Sequence, residues 1–94
     1  MEGRKFTREQ LKAHILYKLG RKGRWNAKHT ELINVRGSLP PECRSIAEEI
    51  AKELADEGFL TWLKKTGQIH VSLRSSRKKE ITEIVEKYYG KAIW

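Results

Sequence analysis

Residues 54–73 read Leu54-Ala55-Asp56-Glu57-Gly58-Phe59-Leu60-Thr61-Trp62-Leu63-Lys64-Lys65-Thr66-Gly67-Gln68-Ile69-His70-Val71-Ser72-Leu73, and the spacing of apolar residues changes inside them. Just upstream, Ile46, Ala47, Ile50, Ala51 and Leu54 recur at i, i+4 and i+8, the narrow stripe of a helix that buries one side. From Phe59 onward that stripe is gone and aromatic residues that favour strands appear. Ile69, Val71 and Leu73 then alternate with His70, Ser72 and Arg74, as in a half-buried strand. Gly67 supplies a tight turn in Lys64-Lys65-Thr66-Gly67-Gln68. The stretch therefore predicts a helix over 41–57, closed by Gly58, running directly into a β-hairpin over 59–74.

Upstream of that helix, Pro41 suits a first helical turn, because its missing N–H has no partner there to lose. Arg36-Gly37-Ser38-Leu39-Pro40 reads as a break, with Gly37 free to take a positive φ and the proline pair barring an incoming helix. A short helix over about 28–35 precedes the break, carried by Leu32, Ile33 and Val35. The first element has the clearest start. Thr7 and Gln10 have the spacing of a capping box, and Phe6 and Leu11 flank it as a hydrophobic staple. Leu11, Ile15, Leu16 and Leu19 follow at helical spacing, so a helix over 8–19 is expected, with Gly20 as its stop. Downstream of the hairpin, Ile81, Ile84, Val85 and Tyr88 share one face of a last helix over 76–89, and Glu83 and Lys87 stand at i,i+4.

The chain has 94 residues, enough for one small core and no second domain. Charged residues make up 34%, against a usual value of about a quarter, and the formal net charge is +8. Such an excess points to a polyanionic partner. No apolar run approaches the ~20 residues that span a bilayer, and Met1-Glu2-Gly3-Arg4-Lys5 leads into an amphipathic stretch, so neither a membrane span nor a secretory signal is expected. The single Cys43 rules out an internal disulfide and favours a reducing, cytoplasmic setting. Its simplest role is a small buried residue. The histidines His14, His29 and His70 are scattered and lack paired ligand spacing, so no metal and no cofactor are expected. A glycine-rich phosphate loop, a nucleophile elbow and an H-E-x-x-H motif are all missing, so enzyme chemistry is not expected.

The element order places two helices, a turn, a third helix and a hairpin before a last helix, which is an α+β arrangement. With the joint Leu54-Ala55-Asp56-Glu57-Gly58-Phe59-Leu60, it resembles the winged helix-turn-helix superfamily. Ala27-Lys28-His29-Thr30 through Leu39-Pro40, then Gly58-Phe59-Leu60 and His70-Val71-Ser72-Leu73, look like small archaeal and archaeal-virus winged-helix proteins. The resemblance covers about residues 7–89 and implies double-stranded DNA as partner, with the helix over 41–57 in the major groove and the hairpin as the wing.

Charge decides how such a protein would hold DNA. Residues 1–39 carry ten basic and three acidic residues, residues 40–57 two and six, and residues 58–94 eight and three. The helix expected in the groove is thus the acidic part of a basic protein. Only the first turns of a recognition helix meet base edges, so Glu53, Asp56 and Glu57 can face away, even pairing with the first helix. The forward surface is then Glu42, Arg44, Ser45 and Glu48 or Glu49. Arg44 suits a bidentate grip on guanine, Glu42 can accept from a cytosine amine, and Ser45 can bond a phosphate or base. Phosphate contacts are expected from Arg24, Lys28, His29 and Thr30 near the second helix, Arg36 in the turn, and Lys64 and Lys65 on the wing. Trp25 reads as a core plug.

The competing reading is a protein-interaction module that docks its acidic third helix on a basic partner. Structured RNA is a third option, which the lack of an exposed aromatic sheet disfavours. The aromatic-rich end Tyr88-Tyr89-Gly90-Lys91-Ala92-Ile93-Trp94 and the apolar face of the last helix suggest a homodimer through the first and last helices. The simpler alternative is that this face folds onto the chain's own first helix.

Overall fold

The computed structural model describes residues 6–91. Helix α1 spans Arg8–Arg21, and its capping box forms as expected, Gln10 N donating to Thr7 Oγ1 at 3.1 Å and Thr7 N to Gln10 Oε1 at 2.9 Å. The helix does not stop at residue 19. Gly20 is a buried member of the last turn, and the left-handed residue is Gly23, at φ +67°. The chain then crosses the base of the sheet, where Trp25 bridges Leu73 and packs against the core.

The second element departs most from expectation. The helix expected over 28–35 begins only at Leu32: strand β1 occupies Thr30–Glu31 and helix α2 Leu32–Arg36. Thr30 and Glu31 pair antiparallel with Val71 and His70. A β-branched residue that can bury beside a strand gains more from that pairing than from capping a helix. Thr30 Oγ1 accepts from Asn34 Nδ2 at 3.0 Å and caps no backbone N–H. Gly37 does not use a positive φ either; it sits at −63°.

The helix expected over 41–57 is two pieces. Pro41–Ile46 is a 3₁₀ segment and helix α3 covers Ala47–Asp56. Cys43 N donates to Pro40 O at 2.8 Å, an i→i+3 bond that tightens the first turn. The hairpin lies within its expected limits, with β2 at Leu60–Lys65 and β3 at Gln68–Leu73. Thr66 and Gly67 both have positive φ, +47° and +80°, as a two-residue primed turn requires. Helix α4 covers Lys78–Tyr89 after a 3₁₀ turn, Ser75–Arg77, so the expected start at residue 76 is not yet α-helical. Glu83 and Lys87 form no ion pair; the lysine Nζ lies 5.7 Å from the Tyr88 ring centroid.

The result is an α+β fold, with four α-helices among the described residues and a three-stranded antiparallel sheet of order β1-β3-β2. The sheet thus has one strand more than the hairpin alone. Ile15, Leu16, Leu19, Ile50, Leu54, Leu60, Val71, Leu73, Ile81 and Val85 are fully buried in one core. Ile81 and Val85 are in it, so α4 is covered by its own chain at those positions, while Tyr88 stays exposed. Ile93 and Trp94 of the expected dimer surface lie outside the described residues.

Candidate nucleic-acid interface

Helix α2, the start of α3 and the hairpin turn frame a groove of about 330 Å³. Ile33, Arg36, Arg44, Ser45, Glu48 and Gln68 line it. Ile33 is 57% exposed, unusual for an isoleucine beside a buried core. Arg44, expected to grip a base, is a brace: its Nε donates to Leu39 O at 3.1 Å and its Nη2 to Gly37 O at 3.1 Å. Arg36 locks the same corner by donating from Nε to Arg44 O at 3.0 Å. These bonds satisfy carbonyls that the break between α2 and α3 leaves outside a helical ladder. They hold the end of α2 against the 3₁₀ turn. Ser45 is exposed on the rim. In register, Lys64 stands opposite Ile69 and Lys65 opposite Gln68, so both lysines belong to the hairpin end that carries Gln68 and Ile69, although neither lines the groove and neighbours along a strand point to opposite faces.

The remaining expected contacts are not gathered here. Glu42 is exposed in the 3₁₀ turn but does not line the groove. Thr30 is buried. His29 lies against His70, with ring centroids 5.7 Å apart, although the two are far apart in sequence. Arg24 and Lys28 lie by Trp25, at the opposite end of β3 from the turn. The phosphate contacts expected as one set therefore fall into two groups, one at each end of the sheet.

The acids of α3 explain how a groove beside an acidic helix can avoid being acidic. Arg8 Nη1 lies 3.1 Å from Glu49, Arg8 Nη2 3.1 Å from Glu53, and Lys12 Nζ 2.7 Å from Glu53 and 2.9 Å from Glu57. Asp56 pairs with Lys52 at 3.3 Å on α3 itself. Hydrogen bonds from Lys12 and Arg8 hold the Glu53 carboxyl below the usual carboxylate range. Burial works against the Lys12 ammonium, but Glu53 and Glu57 outweigh it and raise its pKa. Glu49, one of the acids considered for the forward surface, is thus turned toward α1. Glu48 remains at the groove.

A second groove, of about 480 Å³, runs between α1, the loop after α2 and the end of α4. His14 sits in its wall, 3.0 Å from Ser38 O through Nε2 and 2.8 Å from Tyr89 Oη through Nδ1. A carbonyl only accepts, so Nε2 carries the proton and Nδ1 accepts from the tyrosine. Burial pushes the His14 pKa down, as does Lys18, against the bond to Ser38. Tyr89 also stacks on Tyr17 at 4.3 Å, and burial raises its pKa. Sequence spacing gave no signal for this link, because its three members lie on separate elements.

Cys43 is buried, and burial followed by the charge of Glu42 pushes its thiol up, the opposite of a reactive thiolate. No group of three or more potential metal ligands exists among the described residues, and no helix among them is long and apolar enough to cross a membrane. No family model, curated protein or solved structure matches the chain.

Proposed function

We propose that the chain is a winged-helix protein that binds double-stranded DNA through the groove between α2, α3 and the hairpin, and that it acts as a transcriptional regulator. The observation that carries this reading is the seam between α1 and α3. It engages Glu49, Glu53 and Glu57 with Arg8 and Lys12, leaving the first turns of α3 beside Arg36 and Ser45, with Lys64 and Lys65 on the hairpin end that carries Gln68 and Ile69. Ser45 and Gln68 are the groups available to base edges, Ile33 suits a thymine methyl, and Arg36, Lys64 and Lys65 suit phosphates. Arg44 acts by holding the groove's shape.

The interaction-module reading loses support for the same reason. Four of the six acids in residues 40–57 have basic partners within the chain. In the homodimer part of the proposal, Tyr88 and Tyr89, 37% and 41% exposed, are the large apolar residues α4 offers a second copy. Sedimentation at high micromolar concentration tests it, and a monomer there removes it. A buried, protonated Cys43 suits a reducing cytoplasm.

A titration of a mixed-sequence duplex against the protein at several salt concentrations tests the main reading. Log K should fall with log salt, with a slope of about −0.9 per phosphate contacted. Combined Arg36→Gln, Lys64→Gln and Lys65→Gln should lower the magnitude of that slope by roughly two to three. Glu48→Lys should raise affinity. Wild-type protein that binds no duplex at low salt overturns the reading.

A further inference from the structure

The groove leaves the most strongly basic part of the chain unused. Residues 10–30 contain six lysines and arginines and no acid, and residues 74–79 contain four and no acid. The fold brings these two runs together at the base of the sheet. There Arg21 at the end of α1, Lys28 before β1 and Lys78 at the start of α4 line one cavity of about 610 Å³ with Trp25 and Asn26. Lys78 Nζ sits 5.5 Å from the Trp25 ring centroid, and Arg21 Nη1 donates to Tyr17 Oη at 2.7 Å, so both cations are held in place by aromatic groups. None of Arg21, Lys28 and Lys78 has an acidic partner within 4.0 Å among the described residues. Arg24, in the same loop, has a buried Nε with no hydrogen-bond partner among the described residues.

We propose that this basal cavity is a second phosphate-binding surface, and that its partner is the backbone of a nucleic acid. Along α1 and α3 the chain pairs neighbouring charges internally. Here it gathers cations from three separate segments and, among the described residues, pairs none of them with an acid. Lys78 moreover occupies the first turn of a helix, where the helix dipole disfavours a cation. Such a cluster is relieved by an external anion. Strand β3 spans six residues, so the cavity stands about 17 Å from the hairpin turn along the strand, too far to share the groove's contacts. The exposed large apolar residues among those described are Ile33, Leu63, Tyr88 and Tyr89, and none lines this cavity. A surface with charge and no apolar insertion suits a nucleic-acid backbone better than a lipid bilayer.

The test compares the triple variant Arg21→Gln, Lys28→Gln, Lys78→Gln with a charge-preserving triple, Arg21→Lys, Lys28→Arg, Lys78→Arg. Folding of both is checked by circular dichroism. With a mixed-sequence duplex as probe, the glutamine triple should lower the magnitude of the salt slope by roughly two to three, and the charge-preserving triple should leave it near wild type. Single Lys28→Gln and Lys78→Gln variants, each expected to remove about 0.9, carry the test if the triple fails to fold. An unchanged slope overturns the proposal. So does wild-type binding to phosphatidylserine vesicles that the glutamine triple abolishes while its duplex binding is intact. The inference stands apart from the groove reading. Loss on the groove triple alone sinks the basal surface, loss on the basal triple alone sinks the groove, and no binding by wild type sinks both.

Discussion

The seam between α1 and α3 and the base of the sheet are both rich in charge, and they use it in opposite ways. At the seam, Arg8 and Lys12 interlock with Glu49, Glu53 and Glu57, and the titration shifts of Arg8, Lys12 and Glu53 favour their charged forms. At the base, Arg21, Lys28 and Lys78 line one cavity, and among the described residues no acid pairs with them. The first arrangement binds one helix to another. The second leaves a field unanswered among the described residues. A net charge of +8 is thus not spread evenly, because the fold pairs Glu49, Glu53, Asp56 and Glu57 internally and leaves cations at both ends of β3.

Reversing a seam charge should break this contrast most strongly. The Lys12 side chain is only 14% exposed and meets two carboxylates, so Lys12→Glu removes both pairs and sets three acids together. We expect a loss of about 1–2 kcal/mol, a fall in Tm of roughly 5–10 °C by calorimetry. Acid should act on the same place. The folded pKa of Glu53 lies below its ordinary 4.5, so its contribution is present above that value and lost as pH falls through the folded pKa. Thermal unfolding followed below pH 4.5 should show stability dropping, and Glu53→Gln should flatten that drop.

A milder pH dependence belongs to the link between α1, α4 and the loop after α2. The unfolded chain takes up a proton at His14 near pH 6.5, whereas the folded chain resists it. Stability from this site is therefore present above 6.5 and declines as pH falls below it, and His14→Gln should remove the decline in a Tm–pH profile. The smallest effect is expected at the base. Lys78→Glu replaces a cation in a first helical turn with an anion and should stabilise the fold by about 0.5 kcal/mol while weakening duplex binding. Opposite signs in those two measurements would sharpen the distinction between a charge that holds the fold and one that serves a ligand.

Much of the architecture was legible because local signals agreed. The capping box at Thr7, the stripe from Ile46 to Leu54 and the change of period at Gly58 each produced the element they indicate. The pairing of the α3 acids with the first helix was also open to inference from charge counts. The rest depended on contacts distant in sequence. Nothing local distinguishes Thr30 as a strand residue; its pairing with Val71 does. Arg44, expected from its place in the sequence to grip a base, is claimed instead by the carbonyls of Gly37 and Leu39. The basal cavity was hidden because Arg21, Lys28 and Lys78 meet only after α1 and α4 pack together.

The central claim is that cations already engaged with acids hold the fold, while those left without acids hold a polyanion. The direct measurement is the salt dependence of duplex binding for Arg8→Gln with Lys12→Gln, beside Lys64→Gln with Lys65→Gln, at a temperature where both remain folded. The account predicts a near wild-type slope for the first pair and a loss of roughly 1.8 for the second. Equal losses from the two pairs would contradict it.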